Sequence, residues 1–463
     1  MKTTANKAYD LTEGSILKKL MVVAIPMMAN QLMQMSYNLT DMFWLGRSGS
    51  DAVAASGTAG MFMWFGAGLM MLGRIGCEIG VSQSLGKDEK SAARSFAQNA
   101  IYIGGIVGLL YGIILSLFRT PLIGFFGIAE KNVVLDAEVY LLITALVIPL
   151  NNIASVIGGA FTGSGNSRTP FFMNAMGLAM NIVLDPLFII KFGMGVKGAA
   201  IATILSQIVV FLLNAAAIKK SRNRPFEEFS FFVRPDLNRI KPMLRWALPV
   251  TLESVLFCFL SMQTSRFEAS FGSYAIAVSR VGSQVESLTW LVGGGYASAL
   301  ISYVGQNYGA GRFKRISKGM NISFGLMTIW GAFATALLFF FGRALFAFFL
   351  PDPELLDYGA GYLRILALAQ IPMCIEGVAG GGFKGTGKSI PPAIVSITVN
   401  ALRVAAAYFF MQTALGLYGI WLAVSLSSVV KGIWGAGWYF VYRKKLGAQM
   451  SRREEAGSPE FEA

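Results

Sequence analysis

The sequence contains no histidine, so the commonest metal ligand is missing, along with the only side chain that titrates near neutrality unaided. Any proton chemistry must rest on carboxylates. Cysteine is nearly absent: Cys77, Cys258 and Cys374 each lie inside an apolar stretch, which excludes a disulfide framework and leaves them as packing residues. Charge is scarce too, at 14% of the 463 residues against roughly 25% in ordinary globular proteins. What is abundant is apolar: 54% hydrophobic residues and a mean hydropathy of +0.57, the composition of a membrane protein. The net charge of +14 would suit a nucleic-acid partner only if the basic residues were gathered on one solvated domain. They are scattered between apolar runs instead, which excludes that partner and makes the charge a topology signal.

A spanning helix needs about 20 apolar residues, because the hydrocarbon core is about 30 Å thick and each residue rises about 1.5 Å. Twelve such runs occur, near residues 14–46, 51–86, 91–118, 133–163, 169–190, 196–218, 240–271, 275–307, 317–348, 356–383, 390–413 and 418–442. The start, MKTTANKAYDLTEGSILKKL, is polar and then basic, without the short apolar region and small-residue cleavage site of a secretory signal peptide. Of the 39 Lys and Arg, 27 fall in the two tails and the even-numbered connections and only six in the odd-numbered ones, which predicts that both termini are cytoplasmic. The expected organisation is a cytoplasmic tail over 1–13, a six-helix bundle over 14–218, a cytoplasmic linker over 219–239, a second six-helix bundle over 240–445, and a tail over 446–463. The ending GSPEFEA reads as a cloning remnant.

The two halves repeat each other. With a shift of about 223 residues Pro26 falls on Pro249, Gly49 on Gly272, AVAAS (52–56) on AIAVS (275–279), and Gln83 and Gly86 on Gln306 and Gly309. GAFTGSGNSRTP (159–170) falls on GGFKGTGKSIPP (381–392), and Gly195, Gly198, Ala202, Leu205 and Ser206 fall on Gly416, Gly419, Ala423, Leu426 and Ser427. Six spans per half is an even number, so both halves enter from the same side and the repeat is parallel, related by an axis along the membrane normal. The fold class is therefore an all-α membrane protein, with twelve transmembrane helices in two six-helix bundles.

Residues needed only for the shared fold should recur in both halves. Asp41, Asn181, Asp185 and Thr203 do not: their counterparts are Thr264, Arg403, Ala407 and Val424, so the second half has lost every oxygen ligand except a threonine and gained a cation. Asn181 and Asp185 share a helix face, as do Tyr37 and Asp41. An ionisable group in a spanning helix costs roughly 3 kcal/mol or more, so each should face the bundle interior, paired or hydrated. Asp185 also precedes Pro186, which predicts a helix break nearby.

Together, the 6+6 repeat, the stretch PMMANQLMQMSYNLTD (26–41), the paired Gly-rich turns and NIVLDPLFI (181–189) resemble the multidrug and toxic compound extrusion (MATE) family, nearest its prokaryotic DNA-damage-inducible, DinF-like branch. The resemblance implies multidrug efflux, and hence drug resistance. In it amphipathic, cationic aromatic compounds leave across the cytoplasmic (inner) membrane by alternating access as H⁺ or Na⁺ enters, and the protein is a monomer. It also implies that Asp41, Asn181, Asp185 and Thr203 form the coupling site, with Tyr37 in support and Pro26 at a helix kink. Oxygen-only ligands suit Na⁺. A proton carrier is equally served by two neighbouring carboxyls in a low dielectric. No cofactor is expected beyond the transported ion.

The second half has embedded charges of its own. Glu253, at the repeat position of Asn30, and Glu376 are secondary coupling candidates by the same resemblance; their alternative is internal ion pairing with Arg266, Arg280 or Arg403. Of 22 methionines, 13 lie on the first, second and fifth spans, and flexible thioethers suit a cavity that accepts many shapes. Met33, Phe62, Met63, Phe172, Met173 and Met176 are the candidate lining. GFKGTGKS (382–389) matches a phosphate-loop pattern, but it ends a spanning helix and its repeat partner has no lysine, so it reads as an interhelical turn. No arrangement of nucleophile, base and orienting partner supports an enzyme. The alternative function is a lipid-linked saccharide flippase, whose signature would be a strongly cationic cavity.

Overall fold

A computed structural model describes residues 9–128, 130–220 and 224–456, and these are almost wholly helical. The ending GSPEFEA lies outside the described residues. The first half contains α1 (Ile16–Ser48), α2 (Ser50–Gly86), α3 (Lys90–Leu117), the short α4 (Arg119–Gly124), α5 (Lys131–Ala145), α6 (Ile148–Gly163), α7 (Arg168–Asp185) with a π-helical turn over Pro186–Lys191, and α8 (Gly195–Lys220). The second contains α9 (Leu237–Ala269), α10 (Ser273–Gly309), α11 (Phe313–Phe349), α12 (Pro353–Ala367), α13 (Gln370–Gly385), α14 (Ile390–Met411) and α15 (Leu417–Ala456).

Nine of these helices are individually long and apolar enough to cross a membrane, and the bent pairs α5–α6 (48°) and α12–α13 (44°) add one span each. The twelfth span is α10, whose embedded Arg280 and Glu286 lower its hydropathy but whose 37 residues match the length of α2. Pro149 and Pro372 explain the two bends: each lies in the first turn of the helix after the break, where its missing N–H costs nothing, while the carbonyl four residues earlier loses its helical partner. A neighbouring glycine meets each bend. A Cβ on Gly108 would stand 2.8 Å from Pro149 Cα, and one on the repeat-equivalent Gly331 would stand 2.7 Å from Ile371 Cα.

The backbone repeats as the sequence does. Left-handed φ values recur in pairs: Gly49 (129°) with Gly272 (112°), Gly165 (88°) with Gly387 (78°), Gly195 (52°) with Gly416 (50°). Gly165 and Gly387 sit in the Gly-rich turns, and the phosphate-loop-like segment is accordingly the α13–α14 turn. The fourth pair is Asp88 (64°) with Gly311 (69°), the one described non-glycine residue with positive φ.

The chain forms two compact units that do not coincide with the two sequence halves. Among the described residues, one comprises residues 9–10 and Ala29–Thr251, the other Leu11–Met28 and residues 252–456. The divisions fall inside α1 and α9, two residues after Pro26 and Pro249. Within the first unit, the opening turns of α9 bring Met243 into a core with Phe96, Val156 and Phe161. The segment before α9 is tied to α3 where Asp236 N donates to Asn99 Oδ1 at 2.7 Å. Within the second unit, Leu20, Val23 and Met27 of α1 pack with Tyr296, Tyr303 and Phe383, and Leu11 N donates to Gln306 Oε1 at 2.9 Å.

Candidate cation-coupling site

The site is built inside the first unit by α1, α7 and α8. Asn174 Nδ2 of α7 donates to Asn30 Oδ1 of α1 at 2.7 Å. Asp185 and Asp41 each lie eleven residues further along, about three helical turns at 3.6 residues per turn, so the faces that meet at the asparagines meet again at the carboxylates. Asp41 there adjoins both Asp185 and Asn181. Asn181 and Asp185 are fully buried, and Asn181 Nδ2 donates to Asp185 Oδ1 at 3.0 Å, the contact expected of two residues four apart on one helix face.

The break foreseen at Pro186 is the π-helical turn that follows Asp185. Without an N–H on Pro186 the chain widens its hydrogen-bond register instead of stopping, and such turns are common at functional positions. In the second half α14 runs on unbroken to Met411, with Ala407 at the equivalent position.

Five oxygens of this cluster are buried without a hydrogen-bond partner among the described residues: Tyr37 Oη, Asp41 Oδ1, Asn181 Oδ1, Asp185 Oδ2 and Thr203 Oγ1. Tyr37 faces Thr203 and Asp41. A buried polar atom left unsatisfied costs about 1–3 kcal/mol, more when charged. Two of the five are hydroxyls with a proton of their own, and the carboxylate and amide oxygens beside them leave open acceptor positions of the kind a proton or a hard cation would satisfy. The structure thus brings together Tyr37, Asp41, Asn181, Asp185 and Thr203. It adds Tyr140 of α5, buried within electrostatic reach of both carboxylates. Sequence reasoning missed Tyr140, whose repeat partner Tyr362 makes it look like a shared packing residue. Asn30 and Asn174 were missed because their link depends on helix register.

Other candidates lie elsewhere. Pro26 is inside the continuous α1. Phe62 and Met63 pack against the apolar cluster around Tyr111 and Leu141; Phe172 (59% exposed) and Met176 (53%) are exposed, and Met33 and Met173 are half-buried. In the second unit Glu376 pairs with Lys431 at 3.3 Å and Glu253 with Lys384 at 3.9 Å. The sequence foresaw ion pairing but named the arginines; the partners are lysines on α15 and α13. Arg403 instead donates from Nε to Ser427 Oγ at 2.7 Å, with Phe257 stacked 5.9 Å away.

The MatE family model matches residues 26–187 and again 249–409, more than half of the chain and once per repeat. The chain belongs to the MatE family. It is thus a multi-pass membrane transporter rather than an enzyme, and the twelve-helix, two-bundle fold follows. Among MatE relatives, a "probable multidrug resistance protein NorM" of Thermotoga maritima is 26% identical over 419 residues, covering 88% of this chain and 89% of its own. A "probable multidrug resistance protein YpnP" of Bacillus subtilis is also 26% identical, over 434 residues, covering 91% and 94%. Among solved structures, a MATE crystal structure described as bent aligns with a TM-score of 0.89 at 24% identity, covering 97% of this chain and all of that one. A MOP-superfamily transporter from Pyrococcus furiosus aligns at 0.88 and 23%, covering 96% and 100%.

Proposed function

We propose that this MatE protein exports amphipathic, cationic aromatic compounds across the cytoplasmic membrane in exchange for H⁺ or Na⁺, with both termini in the cytoplasm. The relatives named for multidrug resistance support the export. The observation that carries the coupling is the set of five unpaired oxygens on α1, α7 and α8. Asp41 and Asp185 supply the charge that an entering cation neutralises, while Asn181, Thr203 and Tyr37 complete an oxygen shell. Once filled, the cluster loses the mutual repulsion of its carboxylates, and that change in local energy is what biases the transporter between its two access states.

The flippase alternative calls for unneutralised cations. In the second unit the half-buried Lys384 and the buried Lys431 are each matched by a carboxylate. The decisive experiment reconstitutes the protein in vesicles and follows a fluorescent cation such as ethidium while the proton or the sodium gradient is collapsed separately. Export that survives the loss of both gradients overturns the coupling.

A further inference from the structure

The linker between the halves does more than join them. Its residues 224–236 lie along α3: Gln98 Nε2 donates to Ser230 O at 2.9 Å, and Val233 N donates to Tyr102 Oη at 2.9 Å. Beyond Tyr102 a groove of about 460 Å³ opens, within the roughly 300–1,000 Å³ typical of small-molecule sites. Ile106 and Leu109 of α3, Ile153 of α6, Phe211 of α8 and linker residues Phe231 and Phe232 line it, so its walls are apolar. Phe232 is 91% exposed, whereas Phe226, Phe229 and Phe231 of the same segment pack into an apolar cluster.

Two observations identify what fills the groove. The first is depth. Lys219, the penultimate residue of α8, is eight residues beyond Phe211, or about 12 Å along the helix at 1.5 Å per residue, so the groove runs from a basic rim into the hydrocarbon layer. The second is charge. Lys219 Nζ stands 4.8 Å from the centre of the Phe231 ring, placing a cation on a residue that lines the groove. Lys220 and Arg224 are exposed beside it, and the Arg224 guanidinium donates to Lys219 O. The linker's carboxylates only partly offset them: Glu228 pairs with Arg94 and Asp236 with Arg239, each at 3.8 Å, leaving Glu227. An apolar slot with a cationic mouth matches a molecule with a long hydrocarbon tail and an anionic head.

We propose that this groove is a binding site for an anionic glycerophospholipid, with one acyl chain between α3, α6 and α8 and its phosphate at Lys219 and Lys220. Phe231 and Phe232 cover the chain from the linker side. The bound lipid fastens the linker to the first unit.

Native mass spectrometry of the full-length protein in detergent tests this, using phosphatidylglycerol, phosphatidylcholine of the same chain length, and inorganic phosphate. One phosphatidylglycerol should be retained per chain, at least tenfold in preference to phosphatidylcholine, and phosphate should neither bind nor compete. Lys219→Ala with Lys220→Ala should reduce the preference to about twofold. Gly105→Leu should abolish retention of both lipids: its Cβ meets only Ile153 Cδ1 and Cγ1, at 3.6 and 3.8 Å, so the added carbons project into the groove. Leu109→Trp, at a residue 54% exposed, fills the same space from outside the core and should act alike even if Gly105→Leu misfolds. Equal retention of the two lipids by the parent overturns the proposal, as does competition by phosphate or undiminished retention in a folded groove-filling variant.

Discussion

Arg403 Nε bonds Ser427 Oγ at 2.7 Å, and these two residues stand at the repeat positions of Asn181 and Ser206, whose side-chain oxygens are buried and have no partner among the described residues. Where the first half leaves oxygens open, the second carries a guanidinium already bonded. Arg403 lies within electrostatic reach of Glu286 and Glu376 and is only 8% exposed. A second positive charge 4 Å away would be repelled by about 4 kcal/mol at an effective dielectric of 20. One principal coupling site is expected, in the first half.

Asp41→Asn keeps the shape of the side chain and removes its charge. Gradient-driven efflux of a fluorescent cation in vesicles should fall to background while the protein elutes and melts like the parent. Coupled efflux that persists would move the site elsewhere, with Glu253 and Glu376 next in line.

Asn181→Ala deletes the donor to Asp185 Oδ1 and one open oxygen. A hydrogen bond to a charged group contributes about 1.5–3 kcal/mol, so coupling-ion affinity measured by calorimetry should change by tenfold or more. Asp185→Asn should impair the same step. Asn174→Leu tests register: it touches no ion ligand, yet it breaks the link that aligns α1 with α7, and ion affinity should drop while Asn174→Gln restores part of it.

Ala407→Asp alone should not create a second site. Arg403 lies one turn earlier on the same face of α14, and Ala407 is fully buried, so the new carboxylate would pair with the guanidinium. Twice the parent's ion stoichiometry in that variant would refute the symmetry argument.

Lys431→Met leaves Glu376 without its partner in a setting where the two side chains are 10% and 23% exposed. A cost of about 1–3 kcal/mol is expected, below the 3–5 kcal/mol of a fully buried pair, and Lys431→Met with Glu376→Gln should recover most of it. A double-mutant cycle on the melting temperature reads this. If the double variant regains stability but loses transport, Glu376 serves coupling as well as packing.

Asp88→Gly should stabilise. Asp88 holds φ at 64°, where its repeat partner is Gly311, and relief of that strain exceeds glycine's extra freedom in the unfolded chain by about 0.5 kcal/mol. Thermal unfolding checks the sign.

Much of this was legible in the sequence because it is local or repeated. Paired prolines and glycines gave the duplication, and the break in symmetry at Asp41, Asn181, Asp185 and Thr203 marked the residues that meet. What stayed hidden depends on contacts between distant helices. No spacing rule links Glu376 to Lys431 across α13 and α15, or Asn30 to Asn174 across α1 and α7. The boundaries inside α1 and α9 were invisible because the helices run through them without interruption.

Those boundaries make the two halves depend on each other. Each half lends the opening turns of its first helix to the other, at positions that correspond under the repeat. Neither half therefore contains the whole of the compact unit built mainly from its own helices. The halves should still behave as lodgers in each other's structure. Severed in the linker and produced separately, neither should reach a stable state, whereas made in the same cell they should reassemble into a working transporter.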